Sequence, residues 1–131
     1  MKKAKIQSRK ILIVEDETPL LTALAKKLTR TGFTVLVAKD GKEGLALALA
    51  KHPDLILLDI VMPRMDGLAM LQQLRADAWG KDAEVILLSN LSDVEKVATA
   101  QAYNVHDYLV KSDWKLAEIA QKVKKKLNIS E

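Results

Sequence analysis

The sequence contains no cysteine, which removes disulfide frameworks, thiolate metal sites and cysteine nucleophiles from consideration. No apolar stretch approaches the roughly 20 residues that a membrane-spanning helix needs. The basic start, Met1 to Lys10, is followed by the apolar run Ile11 to Val14, but Glu15, Asp16 and Glu17 cut it short, which is not the pattern of a secretion signal. A soluble, cytoplasmic protein is expected. Glycine-rich nucleotide loops are missing as well: Gly41 and Gly44 open a helical pattern without a third glycine or a lysine-serine pair. Cofactor redox chemistry is therefore not expected. Internal repeats, linkers and low-complexity segments are also absent.

What is present has the size of one domain, 131 residues with 49% hydrophobic content, enough to fill a single core. The net charge of +4 invites a nucleic-acid reading until it is divided along the chain. Residues 1–10 carry +5 and residues 115–131 carry five Lys against two Glu, while residues 11–114 carry eleven bases against fifteen acids, a net −4. The body is acidic and only the ends are basic. The Lys124-Lys125-Lys126 run and the basic start read as solvated charge, and direct nucleic-acid binding is not expected, because no binding motif accompanies them.

Four short apolar runs, Ile11–Val14, Phe33–Val37, Leu55–Leu58 and Val85–Leu88, show little of the alternation of a half-exposed strand and predict strands buried on both faces. A fifth, Tyr108–Val110, is shorter and predicts an edge strand. Between them lie helical patterns. Thr18-Pro19 reads as an N-cap with proline at the first helical position, followed by Leu20, Leu21, Leu24 and Leu28 on one face and Gly32 as the stop. Asp40 with Glu43, and Ser92 with Glu95, resemble capping boxes for a second and a fourth helix. Asp66-Gly67 opens the third, and Leu116, Ile119, Ala120, Val123 and Leu127 form the apolar stripe of the last. Five strand–helix repeats need crossover connections, so an α/β fold is predicted: a doubly wound (βα)5 unit with a five-stranded parallel sheet and helices on both faces. It is expected over residues 10–128, between a basic tail at 1–9 and a short C-terminal tail at 129–131.

In such a sheet the functional site lies beyond the carboxyl ends of the strands. There the first run ends in Glu15-Asp16, the third in Asp59, the fourth in Ser89 and the fifth in Lys111. Crowded carboxylates repel by about 4 kcal/mol per pair at roughly 4 Å with an effective dielectric near 20, so a compensating cation is expected. Oxygen ligands without histidine or cysteine favour a hard ion such as Mg²⁺. Asp59 ends the middle run, where neighbours on both sides supply acids and a lysine, so it is the natural nucleophile for phosphoryl chemistry, with Glu15 and Asp16 as metal ligands.

These segments, Ile13-Val14-Glu15-Asp16-Glu17, Leu57 through Gly67 with its Met62-Pro63-Arg64-Met65-Asp66-Gly67 turn, Leu88-Ser89, and Asp107 through Lys111, resemble bacterial response-regulator receiver domains over roughly residues 9–127. The resemblance implies a flavodoxin-like fold, and a two-component switch phosphorylated on Asp59 by a sensor histidine kinase or a histidine phosphotransfer protein. It implies Asp16 as a direct magnesium ligand, Glu15 as a ligand through water, the backbone carbonyl of Val61 as another, Ser89 bonding the phosphoryl group and Lys111 pairing with it. It makes Tyr108 a rotameric switch that turns inward with Ser89 and remodels the face of the fourth helix, fifth strand and fifth helix. That face would receive a downstream protein or a second copy of the chain in a phosphorylation-dependent dimer. The chain ends just after the fifth helix, so a stand-alone receiver is expected.

Taken singly, each residue has a blander reading: Glu15, Asp16 or Asp59 as a helix cap, and Tyr108 as a packed strand aromatic. His52 and His106 read as surface residues, while Trp79 and Trp114 cover the core edge. Three positions depart from the family pattern. Ser112 stands where proline usually follows the lysine, and a non-proline cis bond costs about 2.5–4 kcal/mol, so a trans peptide is expected. Asn90 replaces a usual alanine after the serine, and Asn104 replaces a helix-ending glycine that it can imitate. A binding module that works without phosphorylation is the rival function. A phosphatase of the haloacid-dehalogenase type is set aside, since it wants an acid where Val61 stands.

Overall fold

The computed structural model describes residues 9–129, except for the side chain of Leu91. The tail expected over residues 1–9 therefore lies, apart from Arg9, outside the described residues, as do Ser130 and Glu131. Five strands, β1 (Lys10–Val14), β2 (Thr34–Ala38), β3 (Leu55–Asp59), β4 (Val85–Ser89) and β5 (Tyr108–Val110), alternate with α1 (Thr18–Thr31), α2 (Gly41–Lys51), α3 (Gly67–Arg75), α4 (Val94–Ala100) and α5 (Leu116–Lys126). All strand pairings are parallel and the order is β2-β1-β3-β4-β5, the flavodoxin-like arrangement expected from the sequence.

Side chains along a strand point alternately to opposite faces, and the apolar runs divide accordingly. Ile11, Ile13, Leu55, Leu57, Ile86 and Leu88 pack under α1 and α5, with Leu24, Leu28, Ile119 and Val123. Leu12, Val14, Ile56, Leu58, Val85 and Leu87 pack under α2, α3 and α4, with Ala48, Met70, Leu71, Leu74 and Val97. This two-sided burial is why β1, β3 and β4 read as nearly unbroken apolar runs.

The structure corrects several boundaries. The second strand starts at Thr34, with Phe33 buried in the core just before it, and it is an edge strand whose Val37 is 42% exposed, so it is not covered on both faces. Its apolar content follows from half-burial between α1 and α2. The N-cap of α1 is Glu17, so Thr18 and Pro19 lie inside the first turn; Gly32, at φ 117°, ends the helix as expected. The fourth helix is not capped by Ser92 and Glu95. A 3₁₀ turn over Leu91–Asp93 precedes it, and the Asp93 carboxylate accepts the Asn90 N–H at 3.1 Å. A second 3₁₀ turn, Gln101–Tyr103, follows it and stops at Asn104, whose φ of 64° is the left-handed conformation anticipated there.

Asp40 and Asp66 do cap their helices, accepting the N–H groups of Glu43 (2.8 Å) and Ala69 (2.9 Å). His52 closes α2 and stacks on Trp79, with ring centroids 4.4 Å apart. Among the described residues every peptide bond is trans, including Lys111–Ser112, and no helix is long and apolar enough to cross a membrane.

Candidate functional site

Parallel strands end together, and the polar residues that end them meet at one edge of the sheet. Glu15 and Asp16 follow β1, Asp59 ends β3 beside it, and Lys111 follows β5. The carboxylates of Glu15, Asp16 and Asp59 offer oxygens within 4.8 Å of one another. Glu15 and Asp59 are buried, at 0% and 3% exposure, whereas Asp16 faces solvent. Placing two buried carboxylates so close is costly without a partner.

The Lys111 ammonium supplies one. Its Nζ lies 3.2 Å from Asp59 Oδ1, 3.0 Å from Glu15 Oε1 and 3.1 Å from Glu17 Oε1. Glu17 is the residue sequence reasoning missed. It was legible only as one more acid in an acidic run, and its role depends on a strand 94 positions away. Burial pulls the Lys111 pKa down, but the hydrogen bond to Glu15 and the charges of Asp59 and Glu15 outweigh it, leaving the ammonium firmly protonated. Asp59 moves the other way: burial, then the charge of Glu15, push its carboxyl up from 3.8 to about 7 despite the opposing lysine.

One lysine does not satisfy three acids. Glu15 Oε2 accepts the Glu17 N–H at 3.0 Å, but Oε1, although 3.0 Å from Lys111 Nζ, has no aligned hydrogen-bond donor and is buried. A buried oxygen with an unfilled lone pair, in an all-oxygen cluster of net negative charge, fits a hard divalent cation. The chain matches the model of the response regulator receiver domain over residues 11–124. This chain belongs to the response-regulator receiver family.

Receiver domains partner with histidine kinases in two-component signalling, so this one is a signalling domain rather than an ordinary enzyme. Its acidic triad is typical of receiver Mg²⁺ sites. It is 38% identical over 119 residues to the transcriptional regulatory protein PrrA of Mycobacterium tuberculosis, covering 91% of this chain and 50% of that protein. It is 37% identical over 106 residues to the probable transcriptional regulator ycf27 of Porphyridium aerugineum, covering 81% and 43%. The chain thus spans about half the length, or less, of these relatives. A CheY-like receiver domain from Methanospirillum hungatei superimposes with a TM-score of 0.83 at 26% identity, covering 92% of this chain and 94% of that one. The receiver domain of a signal transduction histidine kinase from Syntrophus aciditrophicus gives 0.81 at 32% identity, covering 92% and 90%.

The other anticipated residues of this receiver lie at the rim. Ser89 ends β4 beside Asp59, and its buried hydroxyl donates to the Leu109 carbonyl at 3.4 Å rather than turning toward the acids. Tyr108 is 48% exposed on β5, outside the site. Ser89, Asn90, Val94, Val97, Tyr108 and Val110 line a depression of about 150 Å³ between α4 and β5. Val61 lies in the loop after β3 with its side chain exposed.

Proposed function

We propose that this domain takes a phosphoryl group from a phosphohistidine onto the Asp59 carboxylate in a Mg²⁺-dependent step. The observation that carries this reading is the Asp59 carboxylate, buried at the end of the central strand, with the Lys111 ammonium 3.2 Å away and the Glu15 and Asp16 carboxylates close by. An Asp59 oxygen forms a bond to phosphorus as the phosphorus–nitrogen bond of the donor imidazole breaks, and the nitrogen keeps that electron pair. Lys111 is placed to stay beside the modified carboxylate and balance charge on the transferred oxygens. Glu15, Asp16, Asp59 and the Val61 backbone carbonyl are the groups that would hold Mg²⁺. When bound, the cation supplies neutralisation of the phosphoryl oxygens.

In this reading the Ser89 hydroxyl exchanges the Leu109 carbonyl for a phosphoryl oxygen, and Tyr108 turns from solvent into the space vacated beneath α4. The α4-β5-α5 face then differs between the two states and engages a protein target or a second copy of the domain. The donor is a sensor histidine kinase or a histidine phosphotransfer protein, and residues 10–128 form the cytoplasmic switch. Output passes through protein contact rather than direct nucleic-acid binding, either from the domain alone or within a longer regulator.

Incubation with acetyl phosphate and Mg²⁺, followed by intact-mass analysis, tests the reading. Wild type should gain one phosphoryl group and Asp59→Ala none. Equal behaviour of the two proteins would point instead to a binding module that uses the fold without phosphorylation. Light scattering with and without beryllofluoride reports whether modification drives dimerisation.

A further inference from the structure

The loop from Ile60 to Asp66 is fastened at both ends. At its base the Gly67 N–H donates to the Ile60 carbonyl at 2.7 Å. At its tip the Arg64 Nε and Nη2 lie 2.8 and 2.7 Å from the same Asp40 oxygen, Oδ2, while the other, Oδ1, accepts the Glu43 N–H and caps α2. A backbone bond lies alongside: the Gly41 N–H donates to the Met65 carbonyl at 2.9 Å, and a Cβ on Gly41 would sit 2.1 Å from that oxygen, so only glycine allows this approach. Arg64 itself holds φ 64°, a left-handed conformation that is uncommon and strained for a long side chain such as arginine. Asp40 is the preset half of the pair, its side chain 7% exposed against 67% for Arg64. The helix it caps starts just after β2, where the Ala38 carbonyl accepts the Glu15 N–H at 3.0 Å.

The loop tip and the acidic end of β1 are therefore tied to one strand end. We infer that Arg64 is a positioning residue: its clamp on Asp40 fixes the β3–α3 loop so that the Val61 carbonyl is presented to a cation beside Glu15, Asp16 and Asp59. This rests on the receiver reading above, and it adds a residue that touches neither cation nor phosphoryl group.

The test uses the full chain as wild type, Arg64→Gly, Arg64→Lys, Asp40→Asn and the Arg64→Gly/Asp40→Asn double variant. Glycine relieves the left-handed backbone and asparagine keeps the helix cap, so Arg64→Gly and Asp40→Asn each remove the ion pair without threatening the fold, while Arg64→Lys keeps the charge. In metal-free protein, Arg64→Gly should speed hydrogen exchange at the Gly41 amide. By calorimetric titration, its Kd for Mg²⁺ should rise about three- to tenfold, between the effect of an exposed ion pair and that of a buried outer-sphere partner. Phosphorylation by acetyl phosphate should slow by the same factor at limiting Mg²⁺ and recover at saturation. Arg64→Lys should restore part of the affinity, and the double variant should be no worse than either single one. Faster exchange with an unchanged Mg²⁺ Kd, or a rate deficit that persists at saturating Mg²⁺, would overturn the assignment. A wild type that binds no Mg²⁺ would defeat the receiver reading as well, and it would do so whatever stands at position 64.

Discussion

Replacing Asp59 by asparagine should stabilise the metal-free protein, by an amount that depends on pH in a defined way. The Asp59 carboxyl is buried beside Glu15 and titrates near 7 in the folded chain instead of 3.8. Below pH 3.8 it is protonated in both states and contributes nothing. Between 3.8 and 7 the unfolded chain releases this proton and the folded one keeps it, so wild-type stability falls as pH rises, and the loss levels off above 7. At about 1.4 kcal/mol per pH unit the full deficit is bounded by about 4.5 kcal/mol. Asparagine is neutral throughout and does not incur it. Urea unfolding of wild type and Asp59→Asn in EDTA, from pH 4 to 8, should give a stability difference near zero at the acid end. It should reach about 2–4 kcal/mol in favour of the variant at pH 8. Saturating Mg²⁺ should then stabilise wild type, by about 2.7 kcal/mol at one hundred times its Kd, and leave the variant nearly unmoved. A difference that does not change with pH, or a variant less stable than wild type at pH 8, would refute the view that Asp59 is held charged against its surroundings.

Lys111→Met strands two buried carboxylates at pH 8 and should cost about 3–5 kcal/mol there in urea unfolding, and less at pH 5, where Asp59 already holds its proton and only Glu15 loses a partner. Gly67→Ala would place a methyl group 2.3 Å from the Asp59 carbonyl oxygen and 2.9 Å from Ile60 Cα. Since backbone and not a pliable side chain stands in the way, a loss of about 2–3 kcal/mol is expected, with a lower thermal midpoint by calorimetry. Asp107 pairs with Lys126 and, at 3.4 Å, with Lys122, and the Lys126 hydrogen bond holds its carboxyl below the ordinary range. Its contribution is complete above pH 3.8 and lost as pH falls through the lowered value. Asp107→Asn should therefore cost about 0.5–1 kcal/mol at pH 7, and the deficit should vanish in strong acid.

The strands were legible because burial on both faces leaves an apolar run with little else in it, and the polar residue ending each run then marks the edge where Glu15, Asp16, Asp59 and Lys111 meet. Strand order was less visible. Thr34–Ala38 is as apolar as β1, and nothing in its pattern says that one side pairs with no neighbour. The start of α4 misled because two acid-bearing pairs compete within six residues, and Asn90 with Asp93 wins by forming a 3₁₀ turn first. Glu17 and Arg64 were invisible for a different reason. Each acts through a contact between segments far apart in sequence, and for Arg64 also through a left-handed backbone that no periodicity announces.

Stiffness is unevenly shared across this sheet. The strand bearing Asp59 has every residue buried and a paired strand on each side, so local opening there requires disrupting both halves of the core. At the far margin, β5 has three residues and one neighbour, and the seven-residue α4 anchors itself chiefly through Val97 and Ala100, between two 3₁₀ turns. A change in charge at Asp59 would arise where the scaffold is most tightly packed, and the margin formed by α4 and β5 is where the packing would resist it least. With a rigid strand beside a lightly anchored rim, the packing alone would favour one direction of response over the others, without a dedicated lever.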